Sequence, residues 1–171
     1  MKKILVPVLV LFLSTFVHAD PKGVSTNISN FDGTKEINLK PYGTSSCMSF
    51  GSTCISIGAL WKSNNPNQIA LDLFSLNKFV NMTSLQLNID GEIIKAERIA
   101  FAGEHKLTGN YKESLQRFVI SREDFNKILQ AKSVWIKIET MGPTYIETNL
   151  IDKGKETLSL QGLRRFATQL N

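Results

Sequence analysis

Cysteine and histidine are scarce in this chain, and their scarcity limits the kinds of site that it can form. Its 171 residues include only two cysteines and two histidines. A zinc or copper site needs about three or four ligands, drawn mainly from these residue types. Apart from His18, which lies in an amino-terminal segment discussed below, the available donors are Cys47, Cys54 and His105. We therefore expect no metal site.

The short motifs of the large enzyme classes are also missing. The chain contains no G-x-S-x-G, no H-E-x-x-H, no phosphate-binding loop and no G-x-G-x-x-G. Its carboxylates do not follow the spacing of a calcium-binding loop. His105 directly follows Glu104, and adjacent residues seldom provide the geometry that general base catalysis needs. We expect an exposed loop histidine, in a protein that is not an enzyme and uses no cofactor.

Positive charge is in only mild excess. The chain has 20 Lys and Arg against 15 Asp and Glu, which gives a net charge of +5. Loss of Lys2 and Lys3 with the amino-terminal segment would leave 18 against 15, or +3. The two signs are interspersed and no basic run occurs, so we expect no binding to nucleic acid.

One long apolar run is present, and it lies at the amino terminus. Residues 4–17 are uncharged and mostly apolar, they follow two lysines, and Ala19 supplies the small residue that a signal peptidase requires. The run is shorter than the roughly 20 residues that span a bilayer. A cleaved signal peptide at 1–19 is therefore expected, with a noncleaved anchor as the alternative. Residues 20–171 would then form one domain without a membrane span, periplasmic or secreted.

The two cysteines, Cys47 and Cys54, are interpreted as a disulfide, because an even pair of cysteines in an exported domain is normally oxidised. They are not spaced as C-x-x-C, and no histidine or lysine adjoins either thiol, which argues against catalytic redox chemistry. A turn at Phe50 and Gly51 would let Met48 and Phe50 join the apolar face of the strand that starts at Cys54. The disulfide is then expected to link two strands of a hairpin close to the surface.

Alternating apolar and polar residues predict strands in the first half of the chain. Residues 20–46 are expected to be partly irregular, with one strand at 35–40. Further strands are expected at 54–61, at 68–75 and on either side of Asp90-Gly91, a dipeptide that favours a type I′ turn. Turn and pattern specify one register for that hairpin. Its expected pairs are Leu85 with Ala96, Leu87 with Ile94 and Ile89 with Glu92.

In the second half, residues 103–114 are expected to form a mobile loop, followed by a strand at 115–120. Ser121 and Asp124 form the signature of a helix N-terminus. Two strands then follow at 133–140 and 144–151, in a register that places Lys137 opposite Glu147 and Ile138 opposite Ile146. A last helix is indicated by the spacing of Leu163, Phe166, Ala167 and Leu170.

Many short strands with frequent turns, and no alternation of strand, helix and strand, favour a mainly β fold. We expect an antiparallel β-sandwich or curved sheet with one short helix and a C-terminal helix.

The C-terminal half resembles the invasion-associated locus B family of periplasmic proteins. The resemblance covers residues 85–170 and consists of an Ile-Asp-Gly hairpin, a short capped helix, a strand pair and the closing "LSLQGLRRF". A Cys-Gly-Cys segment expected in that half of the family is absent here. The resemblance implies a small exported β-sandwich that is linked to the bacterial envelope and to host interaction, with no established catalysis.

Trp135 and Tyr145 form the candidate binding surface, on the outer face of the last strand pair among charged residues. Aromatic side chains are enriched where proteins bind one another. The alternative is that the N-terminal segment or the closing helix covers both rings.

The signal peptide, the compact β pattern and the absence of catalytic motifs favour an exported envelope protein that binds another envelope or secreted protein without catalysis. One alternative is an immunity or inhibitor protein against a secreted toxin, although the mild positive charge disfavours a basic lysozyme as its target. A second alternative is a small-ligand carrier or enzyme, in which Trp135, Tyr145 and His105 would converge on one concave site.

Overall fold

The computed structural model describes residues 21–152 and 154–170, and this part of the chain is built mainly from β-strands. The signal peptide expected at residues 1–19 lies outside the described residues. The strands are β1 (Val24–Ile28), β2 (Lys35–Gly43), β3 (Cys54–Lys62), β4 (Gln68–Leu76), β5 (Met82–Ile89), β6 (Glu92–Thr108), β7 (Tyr111–Ser121), β8 (Val134–Thr140), β9 (Tyr145–Asn149), β10 (Ile151–Asp152) and β11 (Lys155–Glu156). The helices are a 3₁₀ helix (Ser45–Met48), α1 (Arg122–Gln130) and α2 (Leu158–Ala167).

Nine of these strands form one open antiparallel sheet in the order β1-β2-β3-β4-β7-β6-β5-β8-β9, while β10 and β11 form a separate small hairpin. The predicted fold class, mainly β with one short helix and a C-terminal helix, is confirmed. Inward side chains from opposite ends of the sheet, such as Ile37 of β2 and Ile138 of β8, belong to a single hydrophobic core. The sheet therefore curves around that core.

The two helices close the core. Ser121 caps α1 by accepting the backbone N–H of Asp124 at 2.9 Å, which confirms the predicted helix start. Phe125 of α1 and Phe166 of α2 are both fully buried, and their rings meet edge to face with 5.9 Å between centroids. The closing helix α2 thus packs on β1, β2 and β3, and α1 packs on β4 and β7.

The two hairpins with a predicted register have that register. Leu85 pairs with Ala96 and Leu87 with Ile94 around Asp90, which has the positive φ of 49° that this turn requires. In the second hairpin Lys137 pairs with Glu147 and Ile138 with Ile146, again as predicted.

The segment 103–114, predicted as a loop, is wrongly assigned: it is the end of β6, a two-residue turn and the start of β7. Gly109 has a φ of 60° and allows the turn, and Thr108 pairs with Tyr111 across it. This end of the hairpin extends past the core, so that nearly all of its side chains are exposed. Without a buried face it has no apolar alternation, and the sequence therefore resembles a loop.

A bulge in β6 between Arg98 and Gly103 lets this long strand pair first with β5 and then continue along β7. Gln116 fills the bulge: its side-chain amide donates to the Ile99 carbonyl at 2.8 Å and accepts from the Arg98 guanidinium at 2.9 Å. A Cβ atom at position 103 would lie 2.8 Å from the Gln116 amide oxygen, so a larger residue than Gly103 would displace the Gln116 amide from the bulge. The bulge joins the two halves of the sheet.

The amino-terminal segment contains more regular structure than predicted. The expected strand at 35–40 is part of β2, which continues to Gly43, and β1 pairs along it from Val24 to Ile28. Four of the five β1 residues are at least partly exposed. The segment therefore lacks the alternation of apolar and polar residues from which a strand is predicted.

Cys47 and Cys54 form a disulfide, as predicted, with an S–S distance of 2.06 Å. The expected cross-strand arrangement is wrong, because Cys47 lies in the 3₁₀ helix and only Cys54 lies in a strand. Met48 and Phe50 do not join the apolar face of β3; their side chains are exposed. The Ser46 hydroxyl accepts the backbone N–H of Ile55 at 3.0 Å, so a side chain takes the place of a strand partner there.

Beside the disulfide, buried hydroxyl groups connect the start of β3 to β9 at the far edge of the sheet. The Thr148 hydroxyl donates to the Thr44 hydroxyl at 2.7 Å and accepts the backbone N–H of Ser46 at 3.1 Å. The Ser45 hydroxyl accepts the backbone N–H of Asn149 at 3.0 Å. Thr44, Ser46 and Thr148 are each at least nine-tenths buried. We call these four hydroxyl residues (Thr44, Ser45, Ser46 and Thr148) the hydroxyl junction.

Valine has nearly the same shape as threonine but no hydroxyl group. Replacing Thr148 with valine is expected to lower the free energy of unfolding by about 1–3 kcal/mol, because the buried groups that bond to the Thr148 hydroxyl lose that hydrogen bond. Urea unfolding followed by circular dichroism measures the change. Thr108→Val, at an exposed strand position, is the matched control and should stay within about 0.5 kcal/mol of the parent. Equal effects of the two substitutions would contradict a stabilising role for the junction.

Replacing both cysteines with serine is expected to cost about 2.5 kcal/mol of unfolding free energy, since the disulfide closes a short loop. The same urea experiment, without reductant, measures it. Two free thiols titrated in the unfolded parent protein would show that the bond does not form.

Candidate functional site

Trp135 and Tyr145, the aromatic residues singled out in the sequence, lie exposed on the outward face of the sheet. The exposed fractions of their side chains are 51% and 57%. Strand β8 alternates strictly at this point, with Val134 and Ile136 buried inward and Trp135 outward. Neither the N-terminal strands nor the closing helix covers the two rings, so the alternative of a buried pair is wrong.

Strand pairing brings residues from four strands into rows across this outward face. One row contains Ile93, Asn88, Trp135 and Asn149; the next contains Lys95, Gln86, Lys137 and Glu147; the third contains Ser84, Glu139 and Tyr145. We call the surface formed by Gln86, Asn88, Ile93, Trp135, Lys137, Tyr145 and Glu147 the Trp135 face. Its side chains stand on β5, β6, β8 and β9, whose inward residues are fixed in the core.

A shallow depression of about 490 Å³ lies on this face. Its lining residues are Gln86, Asn88, Ile93, Trp135, Ile136, Lys137 and Glu147. Trp135 and Ile93 supply exposed apolar surface, and the amides and charged groups surround it. The arrangement can bury an apolar group of a partner while the flanking polar side chains form hydrogen bonds.

The charged side chains of the Trp135 face are not neutralised by ion pairs in the part of the chain that the structure describes. The Lys137 ammonium lies 4.7 Å from the centroid of the Tyr145 ring, a cation–π contact. Although Lys137 and Glu147 face each other in the strand register, they form no ion pair within the described part of the chain. Both groups therefore remain available to a partner.

The outward face of β4 and β7 is different, because its central charges neutralise each other. Arg117 forms two hydrogen bonds of 2.7 Å to the two carboxylate oxygens of Asp72. This bonding raises the pKa of the Arg117 guanidinium. A self-satisfied pair of this kind stabilises the sheet and offers little to a ligand.

His105 lies in β6, in a strand and not in the predicted loop, and its side chain is exposed as predicted. Its Nδ1 is 2.8 Å from the Ser114 hydroxyl oxygen, which also accepts the backbone N–H of Val80 at 2.9 Å. Ser114 is 1% exposed, and no carboxylate bonds to the histidine ring among the described residues. The pair lacks both an accessible nucleophile and an orienting acid, and it fastens the segment before β5 onto the hairpin.

His105 does not share a site with the two aromatic residues. Trp135 stands in the row of Ile93 on the outward face, whereas His105 lies twelve positions further along β6 on the inward face. It lines a separate depression together with Val80 and Arg98. The three side chains of the carrier or enzyme alternative therefore do not converge.

No group of three or more His, Cys, Asp or Glu side chains suited to a metal ion occurs among residues 21–152 and 154–170. Over the same ranges, no helix has the length and apolarity to cross a membrane.

Comparison of the chain with protein-family models, with curated proteins and with solved structures found no match. The interpretation of the Trp135 face consequently depends on its own geometry.

Gln86, Asn88 and Ile93 are the members of this face that the sequence did not reveal as candidates. Ile93 lies in the same row as Trp135 only because β5 pairs with β8 as well as with β6. The turn at Asp90-Gly91 predicts that Ile93 lies opposite Asn88, but the contact between the two hairpins has no local signal. Knowledge of that one long-range pairing would have identified it.

The two tryptophans of the chain are expected to respond differently to a collisional quencher. Trp61 is 7% exposed and donates its ring N–H to the Pro66 carbonyl, whereas Trp135 is half exposed. Trp135→Phe should therefore leave blue-shifted fluorescence with a several-fold smaller Stern–Volmer constant for acrylamide, and Trp61→Phe should leave the quenchable signal. Equal quenching of the two variants would contradict the exposure of Trp135.

Proposed function

We propose that this chain is an exported, non-enzymatic binding module of the bacterial envelope, which holds another protein on the Trp135 face. The observation that carries the proposal is the exposed pair of Trp135 and Ile93, which lie in one row with unpaired charges beside them. Residues buried at the centre of protein interfaces are typically aromatic or aliphatic, within a polar rim. The Trp135 face has this composition.

Export is supported by two independent features. Disulfides persist in oxidising compartments, and Cys47 and Cys54 are joined by one. Residues 1–19 have the composition of a signal peptide. The resemblance of residues 85–170 to the invasion-associated locus B family agrees with a place in the periplasm or outside the cell.

The rigidity of the site favours a binding role. The Trp135 face stands on four paired strands, and strand β8 contributes Val134, Ile136 and Ile138 to the core directly beneath it. A surface held in this way loses little conformational freedom when a partner binds, which lowers the cost of association.

A photo-crosslinking amino acid at position 93, in cells that export the chain, tests the proposal. Ile93 is 68% exposed, so benzoylphenylalanine can replace it without disturbing the core. We expect one discrete covalent adduct with another envelope protein, and its loss when Lys137→Glu reverses a charge on the same face.

The matched control carries the crosslinker at Glu123, an exposed position on α1 whose side chain is 83% accessible. It should give no such adduct. The proposal fails if no adduct forms at position 93, or if both positions give the same adducts.

A further inference from the structure

Strand β6 has an unpaired edge at the end that extends past the core. On one side it pairs with β7 as far as Thr108, but on the other side β5 accompanies it only to Ala96. Within the described residues no strand covers that second edge over residues 99–108. All six residues from Gly103 to Thr108 are exposed. An open edge of this kind can accept another strand.

The turn determines which backbone groups this edge offers. In a two-residue hairpin the pair that closes the turn, here Thr108 with Tyr111, is hydrogen-bonded, and bonded and unbonded pairs then alternate. The backbone groups of positions 104, 106 and 108 therefore point to β7. Those of Gly103, His105 and Leu107 point away from β7, each with one N–H and one C=O.

We propose that this edge binds the same edge of a second copy of the chain, antiparallel, about a two-fold axis at His105. Charge selects this partner and this register. Centring the pair on position 104 would place Glu104 against Glu104 of the second copy, and centring it on 106 would place Lys106 against Lys106. Centring it on His105 places each Glu104 opposite Lys106 of the other copy, so that two attractive cross-strand pairs form.

Neither charge is already engaged. Glu104 and Lys106 lie on the outward face of the hairpin, and neither forms an ion pair among the described residues. Lys106 stands opposite Glu113 of β7 in the register but without a salt bridge. An intermolecular pair therefore replaces no existing one.

The inward face fits the same register. Centring on His105 puts Gly103 opposite Leu107 of the second copy. Leu107 is 62% exposed in the single chain, and Gly103 has no side chain to obstruct it. A two-fold contact of this type uses the same surface on both copies and closes after two chains.

Charge reversal tests the contact, with analytical ultracentrifugation of the exported form as the measurement. We expect a reversible dimer that either Glu104→Lys or Lys106→Glu weakens by about tenfold or more, since each places like charges opposite one another twice. The double variant E104K/K106E should restore the dimer. Glu123→Lys, the matched control on α1, and Lys137→Glu on the Trp135 face should leave it unchanged.

A cysteine at position 105 tests the register. Opposite residues of a hydrogen-bonded antiparallel pair are about 5.5 Å apart between Cα atoms, within the range that a disulfide bridges. Both native cysteines are already joined to each other. Mild oxidation of His105→Cys should therefore give a covalent dimer, and Lys106→Cys should give little.

A parent chain that stays monomeric at every concentration would overturn the proposal. So would a double variant that dimerises no better than the single ones, because the charge pairing would then play no part.

Discussion

The architecture depends on the hydroxyl junction. A nine-stranded open sheet has two distant edges, and in this chain the segment between β2 and β3 contacts the far-edge strand β9. The contact is made by short hydroxyl side chains around Thr148, and three of them, Thr44, Ser46 and Thr148, are almost entirely buried. Buried polar groups are costly unless their partners are in place, so the junction is either complete or strongly destabilising. It therefore holds the sheet at one curvature, and the adjacent disulfide holds one side of the junction.

The fixed curvature of the sheet explains why two parts of its outward face have different roles. The strands of the nine-stranded sheet contribute most of their large aliphatic residues to one core, so the outward residues are not constrained by packing within it. On the outward face of β4 and β7, the charged side chains of Asp72 and Arg117 bind each other. The outward face of β5, β6, β8 and β9 instead carries Trp135, Ile93 and charged side chains that form no ion pair with each other. Trp135 remains half exposed over this support, which is why we propose that it contacts a partner.

Local signals in the sequence predicted the local structure well. The turn at Asp90-Gly91 and the cap at Ser121 each combine a backbone preference with an apolar pattern, and both are confirmed. The failures share a physical cause. Residues 103–114 are held by backbone pairing without burial. At the disulfide, the Ser46 hydroxyl accepts the Ile55 backbone N–H that a strand would otherwise bond. Neither arrangement produces an alternation of apolar and polar residues in the sequence. The row containing Ile93 and Trp135 depends on pairing between distant hairpins, for which short-range patterns carry no information.

The two proposed contacts would reinforce each other. The residues of the proposed contact, Gly103 to Leu107, lie beyond the bulge that Gln116 fills, whereas the Trp135 face lies before it, so a second copy on the edge leaves that face open. A two-fold dimer then presents two identical binding faces. Two weak sites held together bind a partner with repeated epitopes far more tightly than one, because the second contact forms at a high effective concentration. A single face with one exposed tryptophan is suited to transient binding. Dimerisation through Glu104 and Lys106 would place two such faces on one particle, and the dimer would bind a repetitive partner more tightly than one chain does.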